Sequence, residues 1–196
     1  MADLPILAFA DLPAWEAWLA EHGDSSDGIW MKLGKARAPA PTVGKKEAIE
    51  GALSFGWIDG RIGRFDDHYF LTRFTRRAAR SKWSVINRET AERLIAAGRM
   101  RPPGMREVER AKADGRWDAA YQPASRAGVP SDLLAALAGN PAAGRMFETL
   151  DGANRYAILH RVEEAKRPET RADRIRKFID MLARGETTHP ARKKRP

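Results

Sequence analysis

The sequence predicts an α+β fold: a small antiparallel sheet with flanking helices, followed by an all-helical C-terminal module. Three observations lead there. Two runs rich in aromatic and branched residues, 57–62 and 68–74, flank a turn-forming 63–67 segment, as in a β-hairpin. A third apolar run, Ile29-Trp-Met-Lys-Leu33, is short enough for a strand. Beyond Ser84 the apolar residues recur at helical spacing.

Asp11 is placed to cap a first helix, with Pro13 in its opening turn, Trp15, Trp18 and Leu19 on one side, and Gly23 at its end. Thr42 is a candidate cap for a helix over 43–55, where Ala48, Ile49, Ala52, Leu53 and Phe55 form a stripe stopped by Gly56. The hairpin follows and completes the sheet with the strand at Ile29. Ser84 is the expected cap of a helix over 85–97, ended by Gly98. Pro102-Pro103 opens another over 105–113, ended near Gly115. A connector over 121–130 is the expected boundary between an N-terminal region, 1–122, and a helical module, 129–186. In that module three or four helices are expected, over 131–138, 141–150, 154–165 and 169–183, the last two pairing through residues such as Leu159 and Phe178. Residues 187–196 read as a disordered basic tail.

Six Trp and seven Phe indicate a packed core, and no run approaches the ~18 apolar residues that span a bilayer. The opening Met1-Ala-Asp-Leu-Pro-Ile lacks the basic and apolar regions of a signal peptide. With Cys absent, disulfides, thiolate catalysis and Cys-ligated zinc drop out, and a cytoplasmic location is expected. The net charge of +9 is local: Arg61 to Arg88 holds eight basic and two acidic residues, and 192–195 holds four more basic ones. A local patch of this kind attracts an anion or polyanion.

The candidate ligand-binding residues are therefore Arg61, Arg73, Arg76, Arg80, Lys82, Trp83, Asn87 and Asp59. Arg76, Arg77 and Arg80 lead into the Ser84 helix, where free N–H groups and fixed positive charge reinforce each other at an anion. Trp83 either stacks on a base or is a buried anchor, in which case the stretch is a solvated basic face. The expected partner is an anionic small molecule or phosphate. Nucleic acid is an alternative without a helix-turn-helix, RNA-recognition or zinc-finger signature behind it. Asp59, in Gly56-Trp-Ile-Asp-Gly60, either shapes a turn or bulge or contacts a ligand. Asp59 and His68 are the acid–base candidates of an enzymatic alternative acting on a phosphorylated or carboxylated small molecule. The Gly-containing runs match neither a phosphate loop nor a dinucleotide fingerprint, and the four scattered His lack metal-ligand spacing. No cofactor or metal is expected.

Several separated motifs, in order, resemble one family. Phe55-Gly-Trp-Ile-Asp-Gly60, Tyr69 with Arg73-Phe-Thr-Arg76, and Ser81-Lys-Trp-Ser84 with Asn87 are similar to the N-terminal part of full-length YdeI-like proteins. Val129-Pro-Ser-Asp-Leu-Leu, Asn140-Pro-Ala-Ala-Gly-Arg-Met-Phe-Glu148 and Ala165-Lys-Arg-Pro-Glu-Thr-Arg-Ala-Asp-Arg-Ile175 resemble the OmdA-type C-terminal module. The resemblance to YdeI/OmpD-associated bacterial proteins runs from about Phe9 to Glu186. It implies a connection with bacteriocin protection and an outer-membrane porin, labels of phenotype or context rather than chemistry, and it brings no catalytic residues. A non-enzymatic binding protein linked to bacteriocin or stress tolerance is the leading expectation. His160 departs from the pattern, which more often has an aromatic residue there.

Overall fold

A computed structural model describes residues 4–122 and 128–190. The chain divides into two compact units, Met1–Tyr121 and Gln122–Pro196. Unit 1 runs β1 (Ile6–Leu7), α1 (Leu12–His22), β2 (Ile29–Gly34), α2 (Lys45–Ser54), β3 (Trp57–Arg64), β4 (Tyr69–Arg76), α3 (Val85–Ala96) and α4 (Pro102–Ala113). The sheet order is β1-β2-β4-β3. β3 and β4 form the expected hairpin, and β2 pairs antiparallel with β4. β1 adds a parallel edge to β2, so the sheet is mixed. Two residues are too few to show a strand period.

Alternation along β2 and β4 sends Ile29, Met31, Leu33 and Phe74 to one face, where Trp15, Leu19, Ala48 and Ala52 from α1 and α2 cover them. Two buried indoles hold this core together. Trp15 Nε1 donates to the Ala48 carbonyl at 3.0 Å, and Trp57 Nε1 to that of Gly23 at 3.1 Å. Their rings meet edge to face, centroids 6.2 Å apart.

Capping follows local chemistry at two helices and not at a third. Asp11 Oδ1 accepts the Ala14 N–H at 2.9 Å, and Ser84 Oγ the Asn87 N–H at 3.1 Å. Thr42 does not cap α2. Its hydroxyl accepts the Gly34 N–H at 2.8 Å, and Val43 donates its own N–H to Phe9, 2.9 Å away. The helix therefore starts later, at Lys45, with the Glu47 carboxylate accepting the Gly44 N–H at 3.1 Å.

A second core joins α2, α3 and α4 through Leu53, Trp83, Leu94, Val108 and Trp117. Two glycines set its geometry. Gly56 leaves α2 with φ +76°, a left-handed conformation, 3.0 Å from the Pro103 carbonyl at its would-be Cβ. At Gly104 a Cβ would sit 2.2 Å from the Ser54 carbonyl oxygen, so α4 lies directly on the end of α2.

Unit 2 consists of α5 (Ser131–Ala138), α6 (Pro141–Thr149), α7 (Gly152–Glu164) and α8 (Pro168–Ala183). Pro141 and Pro168 open their helices where a missing N–H costs nothing. Leu133, Phe147, Ile158, Val162, Phe178 and Leu182 form one core. α7 and α8 do pack together, yet α8 lies more extensively on α6. Arg171 clamps Asp132 through Nε at 2.6 Å and Nη2 at 2.9 Å. Buried Asn154 accepts from Thr188 Oγ1 and from the His189 N–H, both at 2.8 Å, so the first part of the expected tail is tied to α7. The basic residues at 192–195 and most of the connector, 123–127, lie outside the described residues. Among the described residues no helix is long and apolar enough to cross a membrane.

Replacing Gly104 by Ala should force α4 away from Ser54 and cost about 1–3 kcal/mol in urea denaturation. A change below about 0.5 kcal/mol would mean that the helix contact yields freely.

Candidate functional site

The eight sequence-selected residues do not share one surface. Arg73 is exposed on the sheet face away from the core, opposite Trp30, and Arg61 is exposed at a bulge where the β3–β4 register slips between Asp59 and Ile62. Arg76 lies at the end of β4, donating to the Asp24 carbonyl at 2.9 Å and lying 3.7 Å from Asp27. Arg80 and Lys82 are exposed, and the Lys82 carbonyl accepts from Arg77 Nη1 at 3.0 Å.

Trp83 is 1% exposed. The Arg77 guanidinium lies over its ring, 3.9 Å from the centroid, and Trp117 packs beside it at 4.8 Å. Its ring is thus enclosed within the protein and offers no face to a base. Asn87 is half-buried, and its N–H serves the Ser84 cap. The start of α3 is closed as well: the Val85 N–H bonds to the Tyr121 carbonyl at 2.9 Å. The helix end read from sequence as an anion site has these acceptors of its own.

Asp59 stands on the core side of β3 opposite Phe74 and is partly buried. Burial lifts its carboxyl above the usual range, against the opposing charges of Lys45 and Arg77. His68 is exposed at the other end of the hairpin, with Nδ1 3.1 Å from the Arg37 carbonyl oxygen. His68 lies six residues before Phe74 along the strand, roughly 20 Å of extended chain. The two groups therefore do not converge as an acid–base pair. Among the described residues, no group of three or more His, Asp or Glu is placed to hold a metal.

Arg77, named in the sequence beside Arg76 and Arg80 but absent from the eight selected residues, is the one that the structure sets apart. It is 4% exposed, an extreme position for arginine. Burial pushes its pKa down to about 10, with the Glu107 charge acting in the opposite direction. Its Nη1 is used by Lys82, while Nε and Nη2 are buried without a hydrogen-bond partner among the described residues. Those two nitrogens form the edge of a guanidinium that grips two oxygens of a carboxylate or phosphate. Arg77 lines a cleft of about 390 Å³, together with Arg76, Arg106, Glu107, Gly56 and Pro103. Glu107 is ion-paired to Arg110. Nothing local in the sequence distinguishes Arg77 from its neighbours, because α4 and Trp117, far along the chain, create its burial.

Asp59 supplies a pH test. Its raised pKa means the ionised carboxylate opposes folding, a cost absent at low pH and growing as pH rises above the ordinary Asp range. Asp59→Asn should therefore gain stability relative to wild type between pH 3 and 7, read by denaturant midpoints at each pH. A constant difference would show that burial of this carboxyl carries no cost.

Residues 7–107 match the family model described as Domain of unknown function (DUF8412). Residues 126–185 match OmdA, described as Bacteriocin-protection, YdeI or OmpD-Associated. No curated protein and no solved structure matches the chain. The chain belongs to the DUF8412 family, whose model spans just over half its length, and it carries an OmdA module of the YdeI/OmpD-associated type, as the C-terminal motifs imply.

Proposed function

We propose that this chain is a non-enzymatic, cytoplasmic binding protein that recognises a small anion, and that it is connected with bacteriocin or stress tolerance through the OmdA family. One observation carries the reading: Arg77 lines a cleft, and its paired Nε and Nη2, buried from solvent, have no hydrogen-bond acceptor among the described residues. An unpaired buried donor costs about 1–3 kcal/mol, and more when charged. A carboxylate or phosphate with two oxygens facing that edge removes the cost. Arg76, paired with Asp27, and Arg106, without an ion pair among the described residues, also line the cleft. The zero Cys content supports the location.

Inorganic phosphate, added at constant ionic strength, should raise the thermal midpoint saturably, reaching about 2.7 kcal/mol of stabilisation at a hundredfold excess over Kd. Arg77→Met keeps the volume and removes the charge. It should fold with stability near or above wild type, because it no longer buries a charge, and it should lose the phosphate response. An unshifted wild type, or an equal shift in the variant, would overturn the assignment.

A further inference from the structure

The Arg77 cleft does not end at its cationic wall. A second depression of about 460 Å³ adjoins it, and Gly23, Asp24, Phe55 and Pro103 line both. Followed from the guanidinium end, the groove passes the half-buried Phe55 ring and the rings of Pro103 and Pro102 before reaching Glu16. Glu16 is bracketed by Arg99 at 3.6 Å and Arg101 at 3.7 Å, and the Arg101 guanidinium also lies 6.0 Å from the Phe55 centroid. One end therefore suits an anion, the waist offers a flat apolar surface, and the far end presents an anchored carboxylate with spare lone pairs for N–H donors.

Building on the anion reading above, we propose that the groove takes a phosphomonoester with a flat heteroaromatic body, the class to which nucleoside monophosphates belong. The phosphate faces the Nε–Nη2 edge of Arg77, with Arg106 beside it, and the ring system lies along Phe55 and Pro103. The charge balance fits one phosphate rather than several. Of the groove's cations, Arg76 is paired with Asp27 and Arg101 with Glu16, while Asp24 and Glu107 stand on the same walls as opposing carboxylates. A diphosphate or triphosphate would set its extra charge against those two acids.

The full chain is titrated by calorimetry with inorganic phosphate, ribose phosphate and adenosine monophosphate. Aromatic stacking contributes about 1–3 kcal/mol per base, so adenosine monophosphate should bind at least about fivefold more tightly than ribose phosphate. Phe55→Leu keeps an apolar side chain in the core and removes the ring face. It should bring adenosine monophosphate down to the level of ribose phosphate and leave inorganic phosphate unchanged. Arg77→Met should abolish binding of all three. If phosphate binds in an Arg77-dependent way but the base adds nothing, or if Phe55→Leu weakens phosphate equally, the aromatic subsite is overturned and the anion site stands. If adenosine monophosphate binds and Arg77→Met leaves it untouched, both assignments are overturned. Absence of binding by all three ligands overturns both too.

Discussion

Placing the Arg77 guanidinium inside unit 1 is the constraint around which that end of the molecule is arranged. Removing such a charge from water costs several kcal/mol unless partners replace the hydration. Here the replacements are the Lys82 carbonyl, the π-face of Trp83 and the nearby Glu107 charge, and they are incomplete. The same chemistry recurs close by. Arg116 Nη1 donates to the Ser81 carbonyl at 2.8 Å and Arg88 Nη1 to that of Trp117 at 3.4 Å. Three arginines thus supply donors to an irregular backbone that lacks a full sheet ladder. Part of the basic character of this region is consequently structural, and of the stretch's exposed or half-exposed arginines only Arg76 joins Arg77 at the cleft.

Much of the architecture was legible because its causes are local. Strand alternation, helical spacing and cap chemistry placed the hairpin, α1 and α3 within a residue or two. Where the outcome depended on a distant partner, local reasoning failed. The hydroxyl of Thr42 is claimed by Gly34 across the chain, so α2 begins later than the Thr suggests. The two readings of Trp83 were separable only once Trp117 and Arg77 were seen beside it. The charge excess posed the same difficulty in another form. Residues contiguous in sequence are dispersed in space, because a β-hairpin sends Arg73 to the open sheet face while the strand end carries Arg76 towards Asp24 and Asp27.

Unit 2 uses polar groups differently. Two of its polar side chains are fully matched: Arg171 meets Asp132 through two nitrogens and the Val162 carbonyl through the third, at 2.8 Å. Asn154 accepts from the chain beyond α8 while its own amide donates to Asp151 at 3.1 Å. Satisfied groups of this kind lock geometry and leave little for a ligand to gain. In unit 1, by contrast, Arg77 keeps two buried donors unmet among the described residues.

The pair of prolines at the head of α4 has a further effect. Imino acids carry no N–H, so the groove wall formed by Pro102 and Pro103 offers no main-chain donors, unlike the helix ends that hold phosphates in many proteins. Charge preference there resides in replaceable side chains such as Arg106 and Glu107. A lineage can then retune what the groove accepts by single exchanges on the surface of α4, without rebuilding the backbone that shapes it.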